Sequence, residues 1–148
     1  MQYYDLLRSY GGVPIIKRLL DIDSEELYAP RNTREEVVKF ILEDLDFASL
    51  HLPSPSNLTT TETGRFTKIA ALTLKSRVAL YEGTRQKYKD KGEYKDLLQQ
   101  AADAAYEVIK SGEHELYYSA TNDPVLNFRE CFIYEGEGSR ETIFVESL

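Results

Sequence analysis

Two stretches of sequence decide the fold: residues 67–83, TKIAALTLKSRVALYEG, and residues 94–112, YKDLLQQAADAAYEVIKSG. In both stretches, small and apolar residues recur at intervals of three and four, which is the spacing of one helix face. The pattern predicts one helix from about Thr67 to Glu82 and another from about Tyr94 to Ser111. Each helix is expected to be capped by the glycine that ends its stretch. Alanines on facing sides allow such helices to pack closely.

The two predicted helices have the order of a tetratricopeptide unit. From Leu72 to Gly112 the chain carries small and apolar positions, Leu80-Tyr81, a glycine, then Gly92-Glu93-Tyr94 and an alanine-rich helix. In that repeat, glycine, tyrosine and alanine positions permit tight helix packing. The connection between the helices is longer than in an ideal repeat. Two amphipathic helices with simple alanine contacts are therefore the alternative interpretation.

Two further helices are predicted before this pair. Apolar residues from Tyr3 to Tyr10 follow helical spacing, and Gly11-Gly12 ends that run. Residues 15–32 are expected to be irregular. A long helix then opens at Thr33, which stands at capping-box spacing from Glu36. Its apolar stripe contains Val37, Ile41, Leu45, Ala48 and Leu52.

The remaining segments are predicted to be loops with two short elements. Residues 53–64 are rich in Pro, Ser, Thr and Asn and read as a loop. Residues 127–134 predict a short helix, and Thr142–Val145 have the composition of a strand. The fold class is therefore mainly all-α: antiparallel helix pairs of tetratricopeptide type, long loops, and at most a short strand near the C-terminus.

The domain organisation is predicted to be one helical unit over residues 1–148, cut at both ends. The first predicted helix is so short that it resembles only the last turns of a helix. The chain stops just after a predicted strand that has no obvious partner. These two edges indicate an internal segment of a larger protein.

Composition excludes several classes of function. The 148 residues contain 18 Lys and Arg against 25 Asp and Glu, a net charge of −7. Nucleic-acid and anionic-lipid binding both depend on clustered basic residues, so neither partner is expected. No apolar run approaches the ~20 residues that span a bilayer. Cys131 is the single cysteine, so no internal disulfide is possible.

No catalytic or metal-binding constellation is visible. His51 and His114 are distant in sequence from each other and from Cys131, and His114 is expected at the surface. The acidic run from Asp21 to Glu26 lacks the spacing of an EF-hand and reads as a solvated face. The sequence thus predicts a non-enzymatic protein without a cofactor or a metal.

The composition is unusual in one respect: the chain contains 11 tyrosines and no tryptophan. An aromatic ring with a hydroxyl can stack on a sugar and also form a hydrogen bond with it. Loop position and chemistry suggest four candidate ligand-binding residues: Tyr117, Tyr118, Asn122 and Tyr134. The alternative is that these aromatic rings cover helix ends.

Five sequence blocks occur in an order and at a spacing that are specific together. They are Tyr3-Tyr4-Asp5-Leu6-Leu7 leading to Tyr10-Gly11-Gly12-Val13-Pro14; Arg31-Asn32-Thr33 with Glu35-Glu36-Val37, Ile41, Asp44-Leu45 and Ala48; Leu52-Pro53 with Gly64-Arg65-Phe66-Thr67-Lys68 and Ala70-Ala71; Arg77-Val78-Ala79-Leu80-Tyr81; and Glu141-Thr142-Ile143-Phe144. Together these blocks span nearly the whole chain and resemble the RagB/SusD family.

The resemblance implies a mostly helical protein built around tetratricopeptide-like helix pairs. Members are non-catalytic lipoproteins on the outer face of the outer membrane of Bacteroidetes. They bind glycans or other nutrients and assemble with a TonB-dependent, SusC-like transporter. By resemblance the chain is a glycan- or nutrient-binding component of a SusCD-type uptake system, touching the membrane only through a lipid anchor outside these residues. A tetratricopeptide-like protein-interaction scaffold is the alternative.

The chain departs from the family in one feature that bears on the site. Family glycan sites are often aromatic platforms, commonly with tryptophan, which this chain lacks. Either the main ligand site lies outside these residues, or tyrosines and polar groups hold the ligand.

Overall fold

The computed structural model describes residues 1–62, 64–90, 92, 94–133 and 139–144. Five α-helices account for most of that chain: α1 (Gln2–Tyr10), α2 (Arg34–His51), α3 (Lys68–Arg85), α4 (Lys95–Ser111) and α5 (Pro124–Cys131). Short 3-10 turns lie at Glu25–Tyr28, Pro55–Asn57 and Thr60–Glu62, and a π-helical turn, Gln86–Asp90, extends α3. None of the described residues forms a strand, so the all-α class is confirmed.

Helix α3 is the centre of the molecule. It packs against α2 on one side and α4 on the other, and α1 packs against α2. Arg34 at the start of α2 reaches Glu82 near the end of α3, and Ser76 of α3 donates to the Ala101 carbonyl of α4 at 2.8 Å. Gly83 lies against Leu98. These pairings run in opposite directions along each helix pair, which confirms the predicted antiparallel arrangement.

The hydrophobic core joins the four long elements. It is a single cluster of buried side chains contributed by all four helices and the loop after α1: Tyr4, Leu7, Val13, Val37, Val38, Ile41, Leu42, Val78, Ala79 and Ala101. The predicted capping box of α2 is present. The Thr33 hydroxyl accepts from the Glu36 N–H at 3.2 Å, and the Glu36 carboxylate accepts from the Thr33 N–H at 2.8 Å.

The glycine pair after α1 has two separate tasks. Gly11 ends the helix with a φ of 74°, a left-handed conformation that favours glycine. At Gly12, a Cβ atom would lie 2.1 Å from the Asn32 carbonyl oxygen. The Asn32 side chain also accepts from the Ile15 N–H at 2.9 Å. The loop after α1 therefore lies directly on the backbone that leads into α2.

Gly83 was predicted to cap α3, and that prediction was wrong. The helix continues to Arg85, and Gly83 is buried within it. A Cβ atom there would lie 2.8 Å from Leu98 Cδ2 of α4. The glycine therefore serves the close approach of two helices, and the helix propensity it loses is offset by packing.

Three smaller predictions also need correction. Helix α5 begins at Pro124, because the Asp123 carboxylate caps it by accepting from the Val125 N–H at 2.8 Å. Thr142–Phe144 have irregular backbone, since a strand requires a neighbouring strand to pair with; Val145 lies outside the described residues. Ile109 follows the apolar spacing of residues 94–112, which predicts a buried position, but it is 75% exposed.

A buried ion pair ties three helices together. The Arg34 guanidinium forms a two-pronged contact with the Glu82 carboxylate, in which Nε lies 2.9 Å from Oε2 and Nη2 contacts Oε1. The same guanidinium donates to the Leu7 carbonyl at the end of α1, at 2.9 Å. The side chains are 15% and 1% exposed. Because both charges are shielded from water, each depends on the other.

Removing one partner of this ion pair should strongly destabilise the folded protein. For Glu82→Leu we expect a loss of about 3–5 kcal/mol in the free energy of unfolding, because the Arg34 charge is left buried without a partner. The double variant Arg34→Met with Glu82→Leu should recover part of that loss. Urea denaturation measures both. An unchanged midpoint for Glu82→Leu, or no recovery in the double variant, would contradict this account.

Candidate functional site

A cleft of about 430 Å³ opens between the loop before α3 and the C-terminal segment. We call it the loop cleft. Its walls are formed by Pro55, Leu58, Thr59, Thr60, Gly64, Arg65, Thr67, His114, Ser139, Thr142, Ile143 and Phe144. Hydroxyl groups, one guanidinium and one imidazole face a partly apolar floor, and no carboxylate is among these described lining residues. Such a set suits a ligand with many hydrogen-bonding groups.

One wall of the loop cleft is held by the start of α3. The Thr67 side chain is buried and caps the helix by accepting from the Ala70 N–H at 3.2 Å. The Lys68 N–H donates to the Pro53 carbonyl at 2.9 Å, which closes the loop between α2 and α3. The Ser56 hydroxyl donates to the Glu113 carboxylate at 2.8 Å and thereby links this loop to the end of α4.

Arg140 holds the opposite wall. Its guanidinium contacts the Gly112 carbonyl, donates to the Glu113 carbonyl at 3.4 Å and pairs with the Glu115 carboxylate at 3.0 Å. The segment after α4 and the segment around residue 140 therefore run side by side. Sequence reasoning missed Arg140, because its partners lie 25 or more residues away; its place next to the Glu141–Phe144 block was the available signal.

His114 is half-buried in the cleft wall and is not the surface residue that was expected. Its Nδ1 lies 2.8 Å from the Arg140 carbonyl oxygen. A carbonyl only accepts, so we assign the hydrogen of the neutral ring to Nδ1, which leaves Nε2 as an acceptor. Among the described residues, Nε2 has no hydrogen-bond partner, and it is closed to solvent. The unsatisfied acceptor therefore lies inside the cleft wall.

An aromatic pair borders the cleft. The rings of Phe66 and Phe144 are stacked, with centroids 4.3 Å apart and planes at 26°. The two residues are 40% and 37% exposed. A partly exposed aromatic surface next to polar groups can contact the apolar face of a ligand.

The cleft walls contain none of the three predicted site residues that the structure describes, Tyr117, Tyr118 and Asn122. The Tyr117 N–H donates to the Glu141 carboxylate at 2.8 Å, and the Tyr117 hydroxyl donates to Glu130 at 3.3 Å. Tyr118 has a 61% exposed ring. Tyr134 lies outside the described residues. Tyr117 is therefore engaged in packing the C-terminal segment, whereas the Tyr118 ring is open to solvent.

Asn122 has a structural task in the turn before α5. Its φ is 51°, a left-handed value that asparagine tolerates better than most residues. Its side-chain oxygen accepts from the Asn127 amide at 3.2 Å, and Asn127 in turn accepts from the Ser119 N–H at 2.7 Å. These bonds hold the turn in place, so the Asn122 side chain is already partly occupied.

The described residues do not bring together a metal-binding group: no three His, Cys, Asp or Glu side chains there converge on one point. In the acidic run, Glu26 pairs with Arg18 at 2.6 Å. Cys131 lies 3.6 Å from Glu141. Partial desolvation, and then the Glu141 charge, raise the pKa of the Cys131 thiol, so it is held in its protonated, weakly nucleophilic form. None of the described helices is long and apolar enough to cross a bilayer.

Residues 1–80 match a protein family described as "Starch-binding associating with outer membrane", the SusD-like family. The match covers more than half of the chain. The chain belongs to the SusD-like family. This confirms the family indicated by the sequence blocks. The family as a whole is associated with the outer membrane.

Individual relatives agree with the family match. A SusD-like protein, P38, of Formosa agariphila is 30% identical over 79 residues, which are 53% of this chain and 15% of that protein. A SusD-like protein of Bacteroides fragilis has a crystal structure that matches 96% of this chain and 24% of its own, with 30% identity and a TM-score of 0.74.

A second Bacteroides fragilis structure, of a SusD-like carbohydrate binding protein, shares the fold. It matches 97% of this chain and 24% of its own, with a TM-score of 0.72 at 20% identity. The chain thus spans about a quarter or less of the length of these SusD-like relatives.

The ionisation of Glu62 should depend on Thr59 in the wall of the loop cleft. The Thr59 hydroxyl (2.9 Å) and the Thr59 N–H (3.2 Å) both donate to the Glu62 carboxylate and hold its pKa below the ordinary value of a glutamate. The stabilisation from these two hydrogen bonds is complete above that ordinary value and is lost as pH falls through the lowered pKa. We expect Thr59→Val to raise the pKa of Glu62, as measured by NMR titration of its side-chain carboxyl.

The control for this titration is Thr142→Val, which removes a hydroxyl from the other wall of the cleft. It should leave the Glu62 titration where it is. Equal midpoints in the wild type and Thr59→Val would show that the hydroxyl does not set the ionisation of Glu62.

Proposed function

We propose that this chain is part of a glycan- or nutrient-binding component of a SusCD-type uptake system, displayed at the surface of the outer membrane. The observation that carries the proposal is the family match over residues 1–80, which includes α1, α2 and most of α3. Helices α1 to α4 supply a rigid scaffold, and loops at one end of it form the loop cleft. Binding sites of this kind are commonly built on loops that a rigid scaffold positions.

The chemistry of the loop cleft supports capture of a hydroxyl-rich ligand. Thr142 and Ser139 contribute hydroxyl groups to the cleft walls, and the Phe66–Phe144 stack offers an aromatic face. Each hydrogen bond contributes only about 0.5–1.5 kcal/mol, so several contacts are needed together. Weak, distributed contacts suit a protein that must release its ligand to a transporter.

We propose that the component captures its ligand without altering it. Hydrolysis of a glycosidic bond uses two carboxylates on opposite sides of the bond. The described residues that line the loop cleft include no carboxylate at all. The cleft therefore supplies polar contacts without an acid–base pair.

We propose Tyr117, Tyr118, Asn122 and Tyr134, the four residues chosen from the sequence, as a second ligand-contacting group. Among the three that the structure describes, Tyr118 is the exposed aromatic residue, so Tyr118→Ala is the variant that tests this group.

Native affinity electrophoresis through gels containing amylopectin or other polysaccharides tests the proposal. We expect a glycan in the gel to retard the protein, and we expect Phe66→Ala to reduce that retardation, since it removes half of the aromatic stack. Tyr118→Ala tests the second group in the same gels. Tyr28→Ala, at an 88% exposed position in the irregular segment before α2, is the control and should migrate like the wild type.

Each pattern of migration has a distinct meaning. Retardation that Phe66→Ala weakens supports a site at the loop cleft. Retardation that only Tyr118→Ala weakens supports the second group instead. A protein that no polysaccharide retards contradicts glycan capture and favours a small nutrient or a protein ligand.

The proposed partner is a TonB-dependent, SusC-like transporter, docked on the helical scaffold. The outward face of α4 carries exposed apolar residues, Tyr106 and Ile109, together with the exposed acids Asp103 and Glu107. Aromatic residues such as Tyr106 are enriched in interaction surfaces, and polar groups form the rim of such surfaces. The same face equally favours the alternative function, a tetratricopeptide-like scaffold that binds another protein.

Charge reversal on α4 tests the docking surface. We expect Asp103→Lys with Glu107→Lys to reduce co-purification with the transporter. The two lysines would repel the basic groups that these acids are proposed to contact on the transporter. Exchanging Lys39 and Glu43 on α2, which preserves both the net charge and the ion pair, is the control. Unchanged recovery of the complex would remove α4 from the interface.

A further inference from the structure

The connection between α3 and α4 concentrates positive charge in an acidic chain. Residues 85–95, RQKYKDKGEYK, contain five Lys or Arg against two acids, a net charge of +3. The rest of the chain carries 13 basic and 23 acidic residues, a net charge of −10. We call this connection the basic turn, and the structure describes all of it except residues 91 and 93. Its sign is therefore opposite to that of the remaining chain.

The described lysines of the basic turn lie at the surface beside an exposed aromatic ring. The π-helical turn Gln86–Asp90 extends α3 and carries Lys87, Tyr88 and Lys89. The Lys87 ammonium lies 5.1 Å from the centroid of the Tyr88 ring and 5.9 Å from that of Tyr94. Cation–π attraction of this kind holds a charge near the rings without neutralising it. Tyr88 is 72% exposed.

Neither ion pairs nor helix electrostatics explain these lysines. Lys87, Lys89 and Lys95 are exposed, and none of them forms an ion pair with an acid in the described ranges. Lys95 is the first residue of α4, where the positive end of the helix dipole disfavours a cation. Asp96, in the same first turn, is the acid that this helix end favours. The lysines are therefore available to an external anion.

The basic turn lies at the end of the α3–α4 pair that is opposite to the loop cleft. Helix α3 starts next to Thr67 in the cleft wall and ends at Arg85, and α4 returns from Lys95 to Ser111. At about 1.5 Å per residue, helices of this length separate the two ends by about 25 Å. The Debye length at physiological ionic strength is only about 8 Å. A partner at the turn therefore meets its local charge and not the net charge of the whole chain.

The chemistry of the basic turn favours phosphate groups on a lipid surface. Four of its five basic residues are lysines, which bind phosphate as compact point charges, whereas bidentate carboxylate recognition favours arginine. Tyrosine rings such as that of Tyr88 are enriched at the headgroup level of membranes. The SusD-like family is associated with the outer membrane. These three observations favour lipid phosphates over the carboxylates of an acidic protein.

We propose that the basic turn contacts the phosphate-bearing headgroups of the outer membrane. Lys87, Lys89 and Lys95 supply the charge, and the Tyr88 ring lies at the headgroup level. The contact directs the loop cleft away from the lipid and toward solvent. The net charge of −7 predicts no such contact, because it averages over both ends of the helix pair. The inference goes beyond ligand capture and does not depend on which ligand the cleft takes.

Co-sedimentation of the full chain with lipid vesicles tests the contact. The vesicles contain equal parts of phosphatidylcholine and phosphatidylglycerol, and the reference vesicles contain phosphatidylcholine alone. We expect binding to the anionic vesicles at about 0.02 M NaCl and its loss at about 0.5 M NaCl. Lys87→Gln with Lys89→Gln should weaken this binding about 25-fold, since each lysine at an anionic surface contributes about fivefold. Lys87→Arg with Lys89→Arg should retain it.

The control pair is Lys68→Gln with Lys110→Gln, which removes the same charge from exposed positions at the cleft end of α3 and α4. It should bind vesicles like the wild type. The urea midpoints of both Lys→Gln pairs should match that of the wild type, because all four side chains are exposed.

A fluorescent reporter locates the contact on the protein. The chain contains no tryptophan, so Tyr88→Trp introduces a single one into the basic turn. Its emission should shift to shorter wavelength when anionic vesicles are added. Tyr28→Trp, at an 88% exposed position before α2, is the matched control and should show no shift.

Each outcome decides for or against the membrane contact. Loss of vesicle binding in the Lys87/Lys89 pair alone, together with the emission shift of Tyr88→Trp, supports it. Equal loss in the Lys68/Lys110 pair overturns it, because net charge alone would then govern binding. Equal binding to neutral vesicles, or no binding to anionic ones, also overturns it. Reduced co-purification of the Lys87/Lys89 pair with the transporter, without vesicle binding, assigns the turn to a protein surface instead.

Discussion

The contact of Arg34 with Glu82 and with the Leu7 carbonyl is the constraint on which the rest of the structure depends. It fixes the end of α1, the start of α2 and the end of α3 at one point, although Arg34 and Glu82 are 48 residues apart. A buried charge tolerates little displacement from its partner, because water cannot replace the lost contact. The axis of α3 is thereby set, and with it the capped start at Thr67.

The residue next to this ion pair extends the constraint to α4. Gly83 allows Leu98 to approach the α3 backbone, so α4 lies close against α3. The end of α4 is then placed where Gly112 and Glu113 offer carbonyls to Arg140. Arg140 positions His114 and the segment that bears Phe144. The position of the loop cleft therefore follows from the buried ion pair through two helix contacts and one arginine.

Sequence patterns predicted the features that depend on neighbouring residues. They missed the features that depend on residues far away along the chain. The α2 capping box and the alanine spacing of α3 and α4 act within one or two helical turns, so they could be read directly. The role of Gly83 could not be assigned, because a glycine after an apolar run can either end a helix or let a second helix pack closely. Thr142–Phe144 failed as a strand because β composition needs a pairing strand. His114 could be assigned to the cleft wall only from the fold, because its contact with Arg140 spans 26 residues.

The way polar groups are matched separates the scaffold from the loop cleft. In the scaffold, even a fully buried carboxylate, that of Glu82, has its charge and hydrogen bonds matched. At the cleft wall, the ion pair of Arg140 with Glu115 is exposed on both sides. A buried ion pair cannot exchange its partner for water, whereas an exposed pair can. The helical scaffold therefore fixes where the cleft lies, while polar groups in the cleft walls stay able to exchange water for a ligand.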